Sequence, residues 1–221
     1  MASDLVLYSY WRSSAAFRVR IALNLKGLHY ETRAIHLLRE GGEQHSPAYA
    51  ALNPQELVPT LLDGERVLTQ SMAILEYLDE TRPQPSLLPA DAAGRARVRA
   101  LAQVVGCDIH PIGNLRVLQW IDSQFHADDE QKSVWMRHWV STGLHALETM
   151  LASSKDTGRY CHGDTPGLAD ACLVPQVYNA RRWKVPLGDY PTILRIDATC
   201  ATLDAFHNAM PEQQPDAQVK A

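Results

Sequence analysis

The chain has 221 residues, 46% of them hydrophobic, and a formal net charge of −4, which suits one large domain or two small ones with ample core and gives two as the working division. No basic run offers the stripe that tracks nucleic-acid phosphates, and no apolar segment approaches the roughly 20 residues that span a bilayer. Cys107, Cys161, Cys172 and Cys200 lack metal or redox spacing and the start lacks a secretory leader, so a cytoplasmic protein without a metal centre is expected.

Leu5 to Tyr8 is a short apolar and aromatic run that reads as a strand, and good helix formers run from Ser14 to Lys26, ending at Gly27. The Ser9–Ser13 stretch is therefore a strand-to-helix turn. A serine there has two uses: it caps the helix, or it joins the free amides and the positive dipole end in holding an anion such as a thiolate. From the turn alone the cap is favoured. Tyr30 to Leu38 reads as a second strand, Arg39 to Gln44 as a flexible turn, and Tyr49 to Leu52 as a short helix or loop. Pro59 enters a third, short apolar strand that ends in an Asp63-Gly64 hairpin turn. The Val58–Pro59 peptide is either a trans bond at an edge or junction, or a cis bond that turns the Val58 main chain toward a peptide-like ligand.

Thr69 to Leu78 repeats the opening device, a polar turn feeding an amphipathic helix with Ile74, Leu75 and Leu78 on one stripe. Ser71 at its start is a cap or, with Gln70 and the helix amides, a carboxylate site. The order β-α-β, then β-β-α, describes a thioredoxin-like α/β unit over residues 1–82. Pro83, Pro85 and Pro89 stiffen a linker over 83–90. Residues 91–221 read as all-helical, with stripes at Val98, Leu101, Ala102, Val105, Ile109, Ile112 and at Met136, Val140, Gly143, Leu144, Leu147, Leu151. Pro111 interrupts the first of these helices. His110 and Asn114, four apart, share a face if the helix survives the kink, and otherwise are a packing histidine and a solvated asparagine. Asp170 reads as structural, beside a helix start at either Gly167 or Thr165-Pro166. Arg181, Arg182 and Lys184 form a basic helix end, and the tail from Pro211 is expected to be loose.

Ser13-Ser14-Ala15-Ala16-Phe17-Arg18-Val19-Arg20-Ile21-Ala22-Leu23 resembles the Ser-Ser-Cys-x-Trp-Arg-Val-Arg-Ile-Ala-Leu signature of zeta-class glutathione transferases, the maleylacetoacetate isomerase family, which includes maleylpyruvate isomerases. Val174 to Val185 is similar to a second segment of that family. The resemblance implies a thioredoxin-like domain followed by an all-α domain, a homodimer, and glutathione as cofactor. It implies that Ser13 holds the glutathione thiolate beside Ser14 and Ala15, and that the Val58–Pro59 bond is cis. It further implies that Gln70 and Ser71 hold the γ-glutamyl end, that Gln44 lies near the glycine end, and that His110, Asn114 and Arg116 lie beside glutathione. Arg182, with Arg12, is implied to face a small dicarboxylate substrate. The family's usual cysteine is Ala15 here, so chemistry assigned to that cysteine does not carry over. The implied reaction is cis–trans isomerisation of 4-maleylacetoacetate, or alternatively of maleylpyruvate. Glutathione conjugation or dehalogenation, and a non-enzymatic ligand-binding role, remain open.

Overall fold

The computed structural model describes residues 5–217. Residues up to Leu87 join those from Thr202 onward in one compact unit, and Leu88–Ala201 form a second. This differs from the division at 82 and 90, and it moves the tail from the helical part into the first unit.

The first unit holds β1 (Leu5–Ser9), α1 (Ser14–Leu25), β2 (Glu31–Ala34), α2 (Pro47–Leu52), β3 (Thr60–Asp63), β4 (Arg66–Thr69) and α3 (Ser71–Thr81). The sheet order is β2-β1-β3-β4, with β1 parallel to β2 and antiparallel to β3, and β3 antiparallel to β4. This is the expected β-α-β, β-β-α path. A crossover helix makes the parallel β1–β2 pair possible, whereas Gly64, at φ 59°, closes the short β3–β4 hairpin. β2 is shorter than Tyr30 to Leu38, because β1 ends at Ser9 and leaves nothing to pair with. After the Ile35 N–H to Ser9 carbonyl bond, His36 Nδ1 accepts from the amides of Leu38 and Arg39 and turns the chain away.

α1 packs against α3, and its Phe17, Val19, Ile21 and Leu23 are buried with Ile74, Leu75 and Leu78 of α3. Their far ends are tied by Lys26, whose buried ammonium donates to Asp79 Oδ1 and to the carbonyls of Arg82 and Pro85. Val58–Pro59 and Gln84–Pro85 are both cis.

The second unit contains α4 (Ala92–Gln103), α5 (Leu115–Phe125), α6 (Asp129–Ala152), α7 (Leu168–Arg182) and α8 (Pro191–Ala201). Asp91 caps α4 through the Gly94 amide, and a reciprocal Asp128–Gln131 capping box starts α6. The two apolar stripes are buried as expected, apart from half-buried Ile112 and Gly143. A side chain at Gly143 would collide with Ile109, so a glycine in the α6 stripe is what admits that isoleucine. The interruption expected at Pro111 begins earlier. The chain passes from α4 into a π turn over Val104–Ile109, with His110 N–H donating to the Val105 carbonyl. The helix does not continue through residues 110–113.

Asp170 is structural. Its carboxylate accepts from the amides of Cys161 and Gly167, each at 2.8 Å, and Gly167 is the residue that caps α7. Burial pushes its pKa up, partly offset by those two amides.

The tail is not loose within the described residues; 218–221 lie outside them. A short helix α9 (Asp204–His207) packs on α1, Pro211 and Gln214 are buried, and Gln214 Nε2 donates to the carbonyls of Asn208 and Met210. Main-chain acceptors left at the end of α9 recruit the glutamine that composition alone assigned to a solvated tail.

Candidate functional site

Two helix starts dominate the first unit. At α1, Ser13 is the cap, with its Oγ accepting from the Ala16 amide at 3.2 Å. That bond occupies a lone pair and leaves the hydroxyl proton to donate. The cap and the anion-holding role offered by the sequence are therefore compatible in one side chain. Arg12, Ser13 and Ala15 are partly exposed, Ser14 is buried, and the Arg12 guanidinium lies 5.3 Å over the Trp11 ring.

At α3 the cap position is Gln70, held at φ 67° and ψ 114°, and its own side chain does not cap the helix. Gln70 Nε2 instead donates to Gln55 Oε1. Ser71, buried as the first helical residue, accepts from Arg18 Nη1 at 3.2 Å, which again leaves its proton outward as a donor. A helix start with a hydroxyl donor and a buried guanidinium behind it suits a carboxylate.

Val58 is buried beside Tyr10 and Tyr49 in a small aromatic cluster. Among the described residues neither its N–H nor its carbonyl bonds another backbone group, so both remain for a peptide-like ligand. Gln44 is buried in a short 3-10 turn. Its Nε2 contacts the Leu37 carbonyl and His45, and its Oε1 has no partner.

In the second unit, His110 and Asn114 do not share a helix face. Asn114 caps α5 through the Arg116 amide at 3.1 Å, and Arg116 is exposed in the first turn. Arg182 is exposed at the end of α7 with its guanidinium 5.2 Å over the Trp183 ring, while its neighbour Arg181 pairs with Asp197 at 2.6 Å. Among the described residues no group of three or more His, Cys, Asp or Glu gathers for a metal ion, and no helix is long and apolar enough to cross a membrane.

Residues 3–80 match the family described as Glutathione S-transferase, N-terminal domain. A probable maleylacetoacetate isomerase of Vibrio cholerae is 54% identical over 214 residues, 97% of this chain and 99% of the relative. The solved holo structure of a maleylpyruvate isomerase, described as a bacterial zeta-class glutathione transferase, is 54% identical with a TM-score of 0.93, covering 96% of this chain and 99% of that one. This chain belongs to the zeta-class glutathione transferases. A third relative, the maleylacetoacetate isomerase of Methylobacterium extorquens AM1, solved with bound malonate and glutathione, is 44% identical with a TM-score of 0.93 over 97% of this chain and all of that one.

For a zeta-class chain, three supporting residues stand out that motif reading passed over: Arg18 behind Ser71, Arg20 beneath the opening turn, and Asp216 from the tail. The first two left a signal. Two arginines inside the apolar run Phe17 to Ile21 occupy positions where a charge has to find buried partners. Asp216 left none.

Proposed function

We propose that this chain is a glutathione-dependent isomerase that converts 4-maleylacetoacetate to its trans isomer, 4-fumarylacetoacetate. The observation that carries the chemistry is the Ser13 hydroxyl, whose acceptor side is taken by the Ala16 amide so that its proton faces an incoming anion at the positive end of α1. The positive α3 start, Ser71 and the Val58 main chain, which bonds no other described backbone group, fit a tripeptide with a carboxylate at one end.

Glutathione, when bound, supplies a thiolate that adds reversibly to the cis double bond of the diacid, so that rotation precedes elimination. The protein's part is to favour that charge. A free thiol with pKa about 8.5 is mostly protonated at neutral pH, and the α1 amides and Ser13 lower it by stabilising the ionised form. Ser71, Gln70 and the α3 amides hold the γ-glutamyl carboxylate, and Gln44 holds the opposite end. Ser14 and Ala15 line the turn around the sulfur. His110, Asn114 and Arg116 take the family's glutathione contacts on the resemblance. Arg12 and Arg182 are assigned to the substrate carboxylates, where the planar guanidinium fork suits a dianion and charge developing on it.

The substrate choice has a close second, maleylpyruvate, because relatives bearing either name are equally similar at 54% identity. Assaying both cis diacids with substoichiometric glutathione tests the whole reading. Many turnovers per glutathione, with kcat/KM higher for maleylacetoacetate, is the expected outcome. One glutathione lost per turnover indicates conjugation, and turnover without glutathione overturns the mechanism. We carry over a cytoplasmic homodimer from the family, to be checked by sedimentation against twice the 24.6 kDa chain mass.

A further inference from the structure

The turn that presents Arg12 and Ser13 has no regular structure of its own, yet the two peptide groups that flank the Trp11 Cα are each held from outside. The Trp11 N–H donates to Asp216 Oδ2 at 2.9 Å, across 205 positions of sequence. The Trp11 carbonyl accepts from Arg20 Nη2 at 3.0 Å. Arg20 is fully buried, and it also donates to Ser9 Oγ at 3.1 Å and, through Nε, to the Ala209 carbonyl at 2.9 Å. One guanidinium thus grips both the turn and the tail that delivers Asp216. The tail is fixed to α1 a second time where Asn24 Nδ2 donates to the Ala205 carbonyl at 2.9 Å. Within the turn itself, Ser13 N–H closes on the Tyr10 carbonyl at 2.9 Å.

We propose that Asp216 is a positioning residue for thiol activation: by fixing the Trp11 peptide it sets where the Ser13 hydroxyl donates. This rests on the glutathione reading above. The contribution is geometric, because a carboxylate placed beside a turn that has to favour an anion opposes the thiolate by its charge. Only one of its oxygens is engaged. Asp216 Oδ1 is buried and bonds no donor among the described residues, so an asparagine at this position keeps the carbonyl that Trp11 uses and loses no other bond there.

The test compares wild type, Asp216→Ala and Asp216→Asn by three measurements. These are the ultraviolet titration of the glutathione thiolate in the binary complex, calorimetric affinity for ophthalmate, the sulfur-free glutathione analogue, and Tm. In Asp216→Ala the bound thiol is expected to titrate about one pH unit higher, with kcat/KM at neutral pH down about tenfold. Ophthalmate affinity should change by less than about twofold, since it has no thiol to misplace. Asp216→Asn should return the titration to within roughly 0.3 pH unit of wild type.

A wild-type titration in Asp216→Ala, whatever its Tm, overturns the proposal and leaves the tail a staple only. A parallel loss of ophthalmate affinity overturns it too, since the whole site is then distorted. Should the alanine variant not fold, Asp216→Glu keeps the charge but moves the oxygen, and an unshifted titration there is equally fatal. Failure of wild type to take up either tripeptide overturns the glutathione reading itself, which the variant comparison does not touch.

Discussion

The starts of α1 and α3 carry the same sequence device, a polar turn with serine opening an amphipathic helix, and the fold uses them differently. At α1 the serine precedes the helix and caps it, with its oxygen engaged by the Ala16 amide. At α3 the serine is already inside the helix, and the cap position belongs to Gln70 at positive φ, whose own side chain does not cap the helix. The difference teaches that a serine at the cap adds one directed hydroxyl donor beside the α1 amides, suited to a sulfur, whereas a serine one step into the helix with a guanidinium behind it suits a carboxylate. In both cases an outside group occupies the serine oxygen, the Ala16 amide at one end and Arg18 at the other, and turns the hydroxyl into a donor.

The largest break in this comparison is expected from Ser13→Ala. Losing the hydroxyl donor proposed for the thiolate should lower kcat by about a hundredfold. Losing the cap should cost about 1 kcal/mol of stability, and Ser13→Thr, which keeps the hydroxyl, should recover most of both in paired kinetic and denaturation measurements. Ser71→Ala is a smaller perturbation, because the α3 amides remain. It should raise the KM for glutathione about tenfold with kcat little changed, the cost of one hydrogen bond to a charged group. Equal loss of kcat in the two variants would erase the distinction between the helix starts.

The smallest effect concerns how α3 is anchored away from its functional end. Asp63 accepts from Tyr77 Oη at 2.7 Å and from Arg82 Nη2 at 2.9 Å. Burial alone would raise its pKa, but the Tyr77 hydroxyl and the Arg82 guanidinium outweigh it and hold the carboxyl below its ordinary value. A folded-state pKa below the unfolded one gives stability that is present above about pH 3.9 and is lost as pH falls through the folded value. Asp63→Asn should therefore cost about 1 kcal/mol at neutral pH and flatten the acid limb of the stability profile, with kinetics unchanged.

Much of the candidate site was legible because its candidate residues lie in contiguous segments. Ser13 and Ser71 sit at helix starts that local pattern locates, whereas the cis Val58–Pro59 bond followed from the family resemblance and not from the proline alone. The π turn before His110 and the break over residues 110–113 were not legible, since the seat that Gly143 of α6 leaves for Ile109 is set by packing and not by local pattern. The second strand is shorter than its sequence pattern for a similar reason, because its end is set by where β1 stops.

What the amino-acid order determined by itself is therefore local: strand and helix periods, caps, the hairpin at Asp63-Gly64, and two serines placed at positive helix ends. What only the tertiary structure decided is which groups reach across sequence to orient them. Asp216 meets Trp11 across 205 positions, and Arg20 grips turn and tail together. A buried donor or acceptor has to be satisfied by whatever the packing brings near, and no periodicity in the chain records that neighbour.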